Sequence, residues 1–217
     1  MKKHVYFVPG TAANSKIFER IALPKEQFEM HFLEWISPIS KNENLVSYAK
    51  RFSERIRHKN PIIIGVSFGG VLTQEISKIL PCEKVVIISS IQNKYELPAR
   101  LKLIKFSKLY RLAPIKLIDP IEKLIALLYG KKAKNRIDAY KMYLSIRAPL
   151  YLKWAIHAVL NWEQKISLPN TIHLHGTNDK IFPIENIHHC IPIQKGSHIM
   201  IINKAHIINK ILLEKLQ

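Results

Sequence analysis

Glycine is scarce in this chain, with seven residues among 217. Cysteine is scarcer: Cys82 and Cys190 are too few for a disulfide framework and lack the C-x-x-C spacing of a metal or redox pair. They read as two reduced, packed thiols. Aspartate occurs only as Asp119, Asp138 and Asp179, and acidic residues number 16 against 34 Lys and Arg. Long apolar runs are also missing. The uncharged stretch Pro61 to Gln74 holds three glycines and falls short of the ~20 residues a membrane helix needs. The apolar run in "MKKHVYFVPG" is too short for the core of a signal peptide. The expectation is a soluble, cytoplasmic protein.

What is present suits a globular domain. Apolar residues make up 47% of the chain, enough to build a core at this length. The net charge of +18 is uneven. Residues 93–165 carry 16 basic and 5 acidic side chains, a net of +11, and the other 144 residues carry 18 and 11, a net of +7. Such a surface suits an anionic partner, but a lysine-rich composition throughout is the weightier account. No nucleic-acid recognition motif accompanies the charge, so no specific nucleic acid is expected. No cofactor or metal is implied, and nothing sets an oligomeric state.

The apolar pattern alternates between strands and helices. "KHVYFVPG", "FEMHFLEW" (28–35), "PIIIGV", "KVVIISS" (84–90), 171–176 and 190–194 read as strands, the β-branched ones as buried parallel strands. Helices are expected over 43–58, Phe68 to Leu80 and about 198–216. This is an α/β pattern, a doubly wound and mostly parallel sheet of about six strands. Strand signals vanish from 92 to 167. "DPIEKLIALLYG" there reads as a helix with Asp119 as N-cap and Gly130 past its end, and "PLYLKWAIHAVLNW" as another. Residues 92–167 are therefore expected to be a helical insertion into a core formed by 1–91 and 168–217.

The placement of the glycines is informative. Apart from Gly130, they are Gly10, Gly65, Gly69, Gly70, Gly176 and Gly196, each at or just after the end of an expected strand. Those ends share one edge of a parallel sheet, where ligands bind. "GVSFG" (65–69) fits the G-x-S-x-G turn that presents a serine between a strand and a helix, and its context here is a strand before and a helix after. The amide of Phe68 then faces the position of a developing oxyanion. In "VPGTAAN", Thr11 is equally a turn residue or the second oxyanion donor.

A serine nucleophile needs a base, and the base an orienting acid. Ten histidines are available. His4 precedes a strand; His31, His173 and His175 fall within strand patterns; His58, His157 and His206 fall on expected helices; His188 and His189 are loop competitors. His198, in "QKGSHIM", follows the last strand two residues after Gly196 and is favoured. Asp179, in "HGTNDKIFP", is favoured as the acid by elimination. Glu96 is the first carboxylate after "KVVIISS", and Glu185 is a reserve candidate.

In the order "GVSFGG", "HGTNDKIFP", "GSHIM", with "VPGTAAN" before them, these segments resemble the serine, acid, histidine and oxyanion-loop segments of the α/β-hydrolase superfamily. The resemblance covers the whole chain and implies a fold lacking the family's first two strands, with 92–167 as its cap. It implies Ser67 as nucleophile, His198 as base, Asp179 as acid, and the amides of Thr11 and Phe68 as oxyanion hole. The expected activity is hydrolysis of a small-molecule ester or thioester, with no metal and no cofactor. The alternatives are a non-catalytic binding protein of the same fold, or an acyltransferase or lipase acting at an anionic membrane that the basic cap touches weakly.

Overall fold

The most uniformly apolar segment, Ile62–Val66, forms β3 and is buried along its whole length. It lies inside a six-stranded sheet with β1 (Lys3–Val8), β2 (Phe28–Phe32), β4 (Lys84–Ile88), β5 (Thr171–Gly176) and β6 (Ile191–Ile193), in the order β2-β1-β3-β4-β5-β6. All five pairings are parallel. The computed structural model describes residues 2–107, 142–145 and 148–217. The helix read over 119–130 and Asp138 lie outside the described residues.

Period-two alternation sorts the side chains between two layers. Val5, Phe7, Ile62, Ile64, Val86 and Ile88 turn to one face. There they meet α5 (Met200–Asn203) and α6 (Ala205–Leu216) through Met200, Ile208, Leu212 and Leu216. Tyr6, Val8 and Ile63 turn to the other face, against α1 (Leu45–Ser53), α2 (Phe68–Ser77) and α4 (Pro149–Leu160). Each isoleucine of β3 is fully buried and contributes roughly 1.5–3 kcal/mol of transfer free energy. Asn44 caps α1, its side chain accepting the Ser47 amide at 2.7 Å, and Pro149 opens α4. A further helix, α3 (Ala99–Ser107), buries none of its residues. No helix among the described residues is long and apolar enough to cross a membrane.

The elements follow the sequence pattern, with local differences. α1 is shorter than 43–58, so His58 lies in the segment leading to β3 rather than on a helix. The C-terminal helix is broken at Lys204, whose amide donates to Met200 O while its carbonyl accepts from Ile207 and Ile208. The break lets Met200–Ile202 and the Ala205, Ile208, Leu212, Leu216 stripe both reach the core. Cys82 and Cys190 are unpaired and half-buried.

From β1 the chain moves outward to β2, then returns to β1's other side as β3. The strand order thus reverses between β1 and β3, the position at whose carboxyl ends ligands bind in open α/β sheets.

Candidate active site

Ser67 stands at that edge of the sheet, between the end of β3 and the first residue of α2. Its backbone has φ 54° and ψ −120°, a strained conformation for a residue with a side chain. Several bonds hold it there. The Ser67 amide donates to Ile88 O at 2.9 Å, and its carbonyl accepts from Gly70 N at 2.9 Å and from Ser90 Oγ at 2.7 Å. The turn also demands glycine on both sides. A Cβ on Gly65 would overlap the Gly69 carbonyl, and one on Gly69 would overlap the carbonyls of Val8 and Pro9. Gly70 packs on the side chain of Ser90 for the same reason. The serine side chain does not cap α2, which leaves its hydroxyl free to face His198.

The Ser67 Oγ–H donates to His198 Nε2 at 2.9 Å, and His198 Nδ1–H donates to Asp179 Oδ2 at 2.8 Å. The other carboxylate oxygen, Oδ1, accepts the amides of Ile181 at 2.7 Å and Phe182 at 3.0 Å. An ionised carboxylate only accepts, so the His198 proton sits on Nδ1 and Nε2 is left as the acceptor for the serine. The strand β6 and a short turn at 184–186 fill the interval between Asp179 and His198. Gly176 and Gly196 bring the two loops into contact, since a Cβ on either would meet the other. Bonds from Asn178 N to Gly196 O at 2.8 Å and from Lys195 N to Thr177 Oγ1 at 2.8 Å lace them.

Asp179 is almost fully buried, and burial is the largest influence on its carboxyl, acting to raise its pKa. The attraction and hydrogen bond of His198, the nearby His175 and the Phe182 amide together outweigh it, so the pKa is lowered. The other candidates stand elsewhere. Glu185 is exposed, as are His188 and His189. Glu96 is fully buried and accepts the amides of Gln92 at 2.6 Å and His188 at 3.1 Å, fixing the loop after β4.

Two further histidines extend the hydrogen-bonded cluster behind Asp179. His175 Nε2–H donates to Phe182 O at 2.8 Å and lies 3.5 Å from Asp179 Oδ2. Its Nδ1 accepts from His173 Nε2 at 3.1 Å, and His173 Nδ1 accepts from Gln92 Nε2 at 3.2 Å. One assignment of neutral tautomers satisfies this whole chain. Burial lowers the pKa of both rings, that of His173 to about 3. The available signal was the H-x-H spacing in β5, which puts both rings on one face of a strand ending at the Asp179 loop.

No protein-family model matches the chain, and no curated protein does. Solved structures do. The epoxide hydrolase of Bacillus megaterium superposes with a TM-score of 0.76 at 10% identity, covering 100% of this chain and 94% of its own. The enol-lactonase of Burkholderia xenovorans LB400 gives 0.72 at 10% identity, covering 100% and 92%. A thermophilic esterase of Thermogutta terrifontis gives 0.71 at 14% identity, covering 100% and 90%.

This is an α/β-hydrolase fold. At these identities the likeness concerns architecture, and the hydrolase fold supports varied chemistry through the residues placed on it. Here the loop after β1 approaches the serine, with a Cβ on Gly10 falling 3.4 Å from Ser67 Cβ. Trp35 Nε1 donates to Gly10 O at 3.0 Å, and a turn from Gly10 O to Ala13 N encloses Thr11. Phe68 opens α2, so its amide has no intrahelical acceptor. The Phe68 ring stacks on Trp35, with centroids 5.2 Å apart, and meets Trp154 of α4 edge-on at 5.6 Å. Aromatic packing thus joins the serine turn, the loop following β2 and part of the 92–167 segment.

Proposed function

We propose that the protein is a serine hydrolase acting on a small-molecule carboxylic ester or thioester. The observation that carries this reading is the hydrogen-bonded succession Asp179–His198–Ser67 ending on a strained serine at the carboxyl end of β3. In the proposed reaction Ser67 Oγ attacks the acyl carbonyl as His198 Nε2 takes its proton. Asp179 keeps the imidazole in the correct tautomer and stabilises the imidazolium. The amides of Thr11 and Phe68 receive the oxyanion, each donor contributing ~3–4 kcal/mol to the transition state. His198 then protonates the leaving group, and a water deprotonated by His198 releases the acyl group. Residues 92–167 act as the lid that shapes the acyl pocket, anchored by α4.

The test is turnover of p-nitrophenyl esters of graded chain length alongside labelling by a fluorophosphonate probe. Wild type is expected to label and turn over, and Ser67→Ala to lose ~10⁴–10⁶-fold in kcat. A folded wild type that neither labels nor turns over overturns the reading in favour of a non-catalytic binder.

One observation favours an additional lipid contact. α3 exposes Leu103 (67%) and Phe106 (85%) beside Lys102 and Lys105. Such a face suits the interface of an anionic membrane and a substrate with an apolar tail. Co-sedimentation with anionic but not neutral vesicles, lost at high salt, is the expected result; equal recovery with both vesicle types excludes this contact.

A further inference from the structure

Three histidines without a part in the proposed reaction gather at the amino-terminal edge of the sheet, opposite Ser67. His4 lies on β1, His31 on β2, and His58 on the segment that enters β3. The register pairs His4 with Glu29 and Tyr6 with His31, so these four side chains share one face. His4 Nδ1 and His31 Nε2 are 3.1 Å apart. The His58 ring lies over that of His4, with centroids 3.4 Å apart and planes 5° from parallel. One ring nitrogen from each of the three lies within 4.8 Å of the other two. The Glu29 carboxylate straddles the pair, 3.7 Å from His4 Nδ1 and 3.9 Å from His31 Nε2.

A proton can bridge only two of these nitrogens, whereas a cation can bind all three lone pairs. Three imidazoles and a carboxylate form a donor set suited to tetrahedral zinc. The surroundings supply an outer partner. Tyr6 OH is 2.6 Å from His58 Nδ1 and accepts the Arg57 amide at 3.2 Å, which orients the ring and leaves Nε2 open. The His4 and His31 side chains are 26% and 23% exposed, enough for an ion to enter from solvent.

We propose that His4, His31 and His58, with Glu29 as fourth ligand, form a zinc-binding site. Binding requires the parallel His4 and His58 rings to splay so that their lone pairs converge. The ion then ties edge strand β2 to β1 and to the segment entering β3, a structural role distinct from the Ser67 chemistry. The three histidines stand 27 positions apart in the chain, so no local spacing of histidines announces them.

The test uses the untagged full chain, stripped with EDTA and titrated with zinc sulfate against a chromophoric chelator, with thermal unfolding followed in parallel. One zinc per chain is expected, with an unfolding midpoint that rises with free zinc. Outer-shell partners alone contribute ~10–100-fold to metal affinity, so His31→Gln and His58→Gln are expected to weaken binding by about 100-fold or more. Glu29 is exposed, so Glu29→Gln weakens binding without a packing loss. His206→Gln, an exposed change on the other face of the sheet, leaves it unaltered. Zinc-free unfolding curves verify that each variant folds. Failure of the native protein to bind one zinc, or binding that survives the His31→Gln/His58→Gln double change, overturns the proposal.

Discussion

Ser67 shows how much local structure one side chain can require. Its positive φ is retained because β4, Gly70 and Ser90 all bind its backbone, and because Gly65 and Gly69 permit contacts that any Cβ would block. Strain of this kind costs of order 1–3 kcal/mol and persists only where the surroundings over-determine it. Asp179 makes the complementary case. Each carboxylate oxygen has a partner, so its geometry does not depend on His198 alone. Asp179→Asn is therefore expected to fold normally while kcat falls by ~10⁴-fold, because an amide nitrogen turned toward His198 favours the wrong tautomer. Steady-state kinetics with intact near-UV circular dichroism checks this; an unchanged kcat removes Asp179 from the proposed mechanism.

Among the elements, α4 and α3 contrast. Both fall within residues 92–167, yet α4 buries Tyr151, Trp154, Ala155 and Ala158, while α3 buries nothing. Trp154 is central to that difference. Its indole meets Tyr48 at a 34° tilt with centroids 4.0 Å apart, and Nε1–H donates to Glu43 O at 2.7 Å. Trp154→Ala is expected to lose ~3–5 kcal/mol in urea unfolding, the range for deleting a buried tryptophan. Leu103→Ala on α3 is expected to stay within ~0.5 kcal/mol of wild type. Because Trp154 touches Phe68, its loss is also expected to loosen the serine turn and lower turnover in the proposed p-nitrophenyl ester assay.

At the scale of the whole molecule, the buried His173 and His175 contribute to the response to acid. His173 is neutral when folded, its pKa held at about 3 by burial first and by His175 second, against an ordinary 6.5. Between these values the unfolded chain binds more protons than the folded one, so stability rises with pH. That contribution is complete above pH 6.5 and is lost as pH falls from there toward 3, with a limiting slope of about 1.4 kcal/mol per pH unit. His175 is shifted the same way by burial. The lowered carboxyl of Asp179 acts in a separate window, losing its contribution only as pH falls below 3.8. Urea midpoints measured from pH 8 to pH 4 are expected to fall below pH 6.5, and His173→Gln to flatten that fall; a wild-type curve level down to pH 4 contradicts it.

The sequence by itself determined the sheet, because β-branched runs such as "PIIIGV" require cover on both faces and glycine-marked strand ends in a parallel sheet share one edge. It also brought Ser67, Asp179 and His198 into consideration, since each lies in a strand-end loop with its own local signal. Tertiary structure decided the rest. His175 supports Asp179 because a loop folds back over β5; Trp154 reaches Phe68 because α4 docks between distant segments; and His4, His31 and His58 meet only when two strands pair and a third segment crosses beside them. Periodicity records which face a side chain occupies. Which distant side chain it meets there is set by register and packing, and neither is written in any local run of residues.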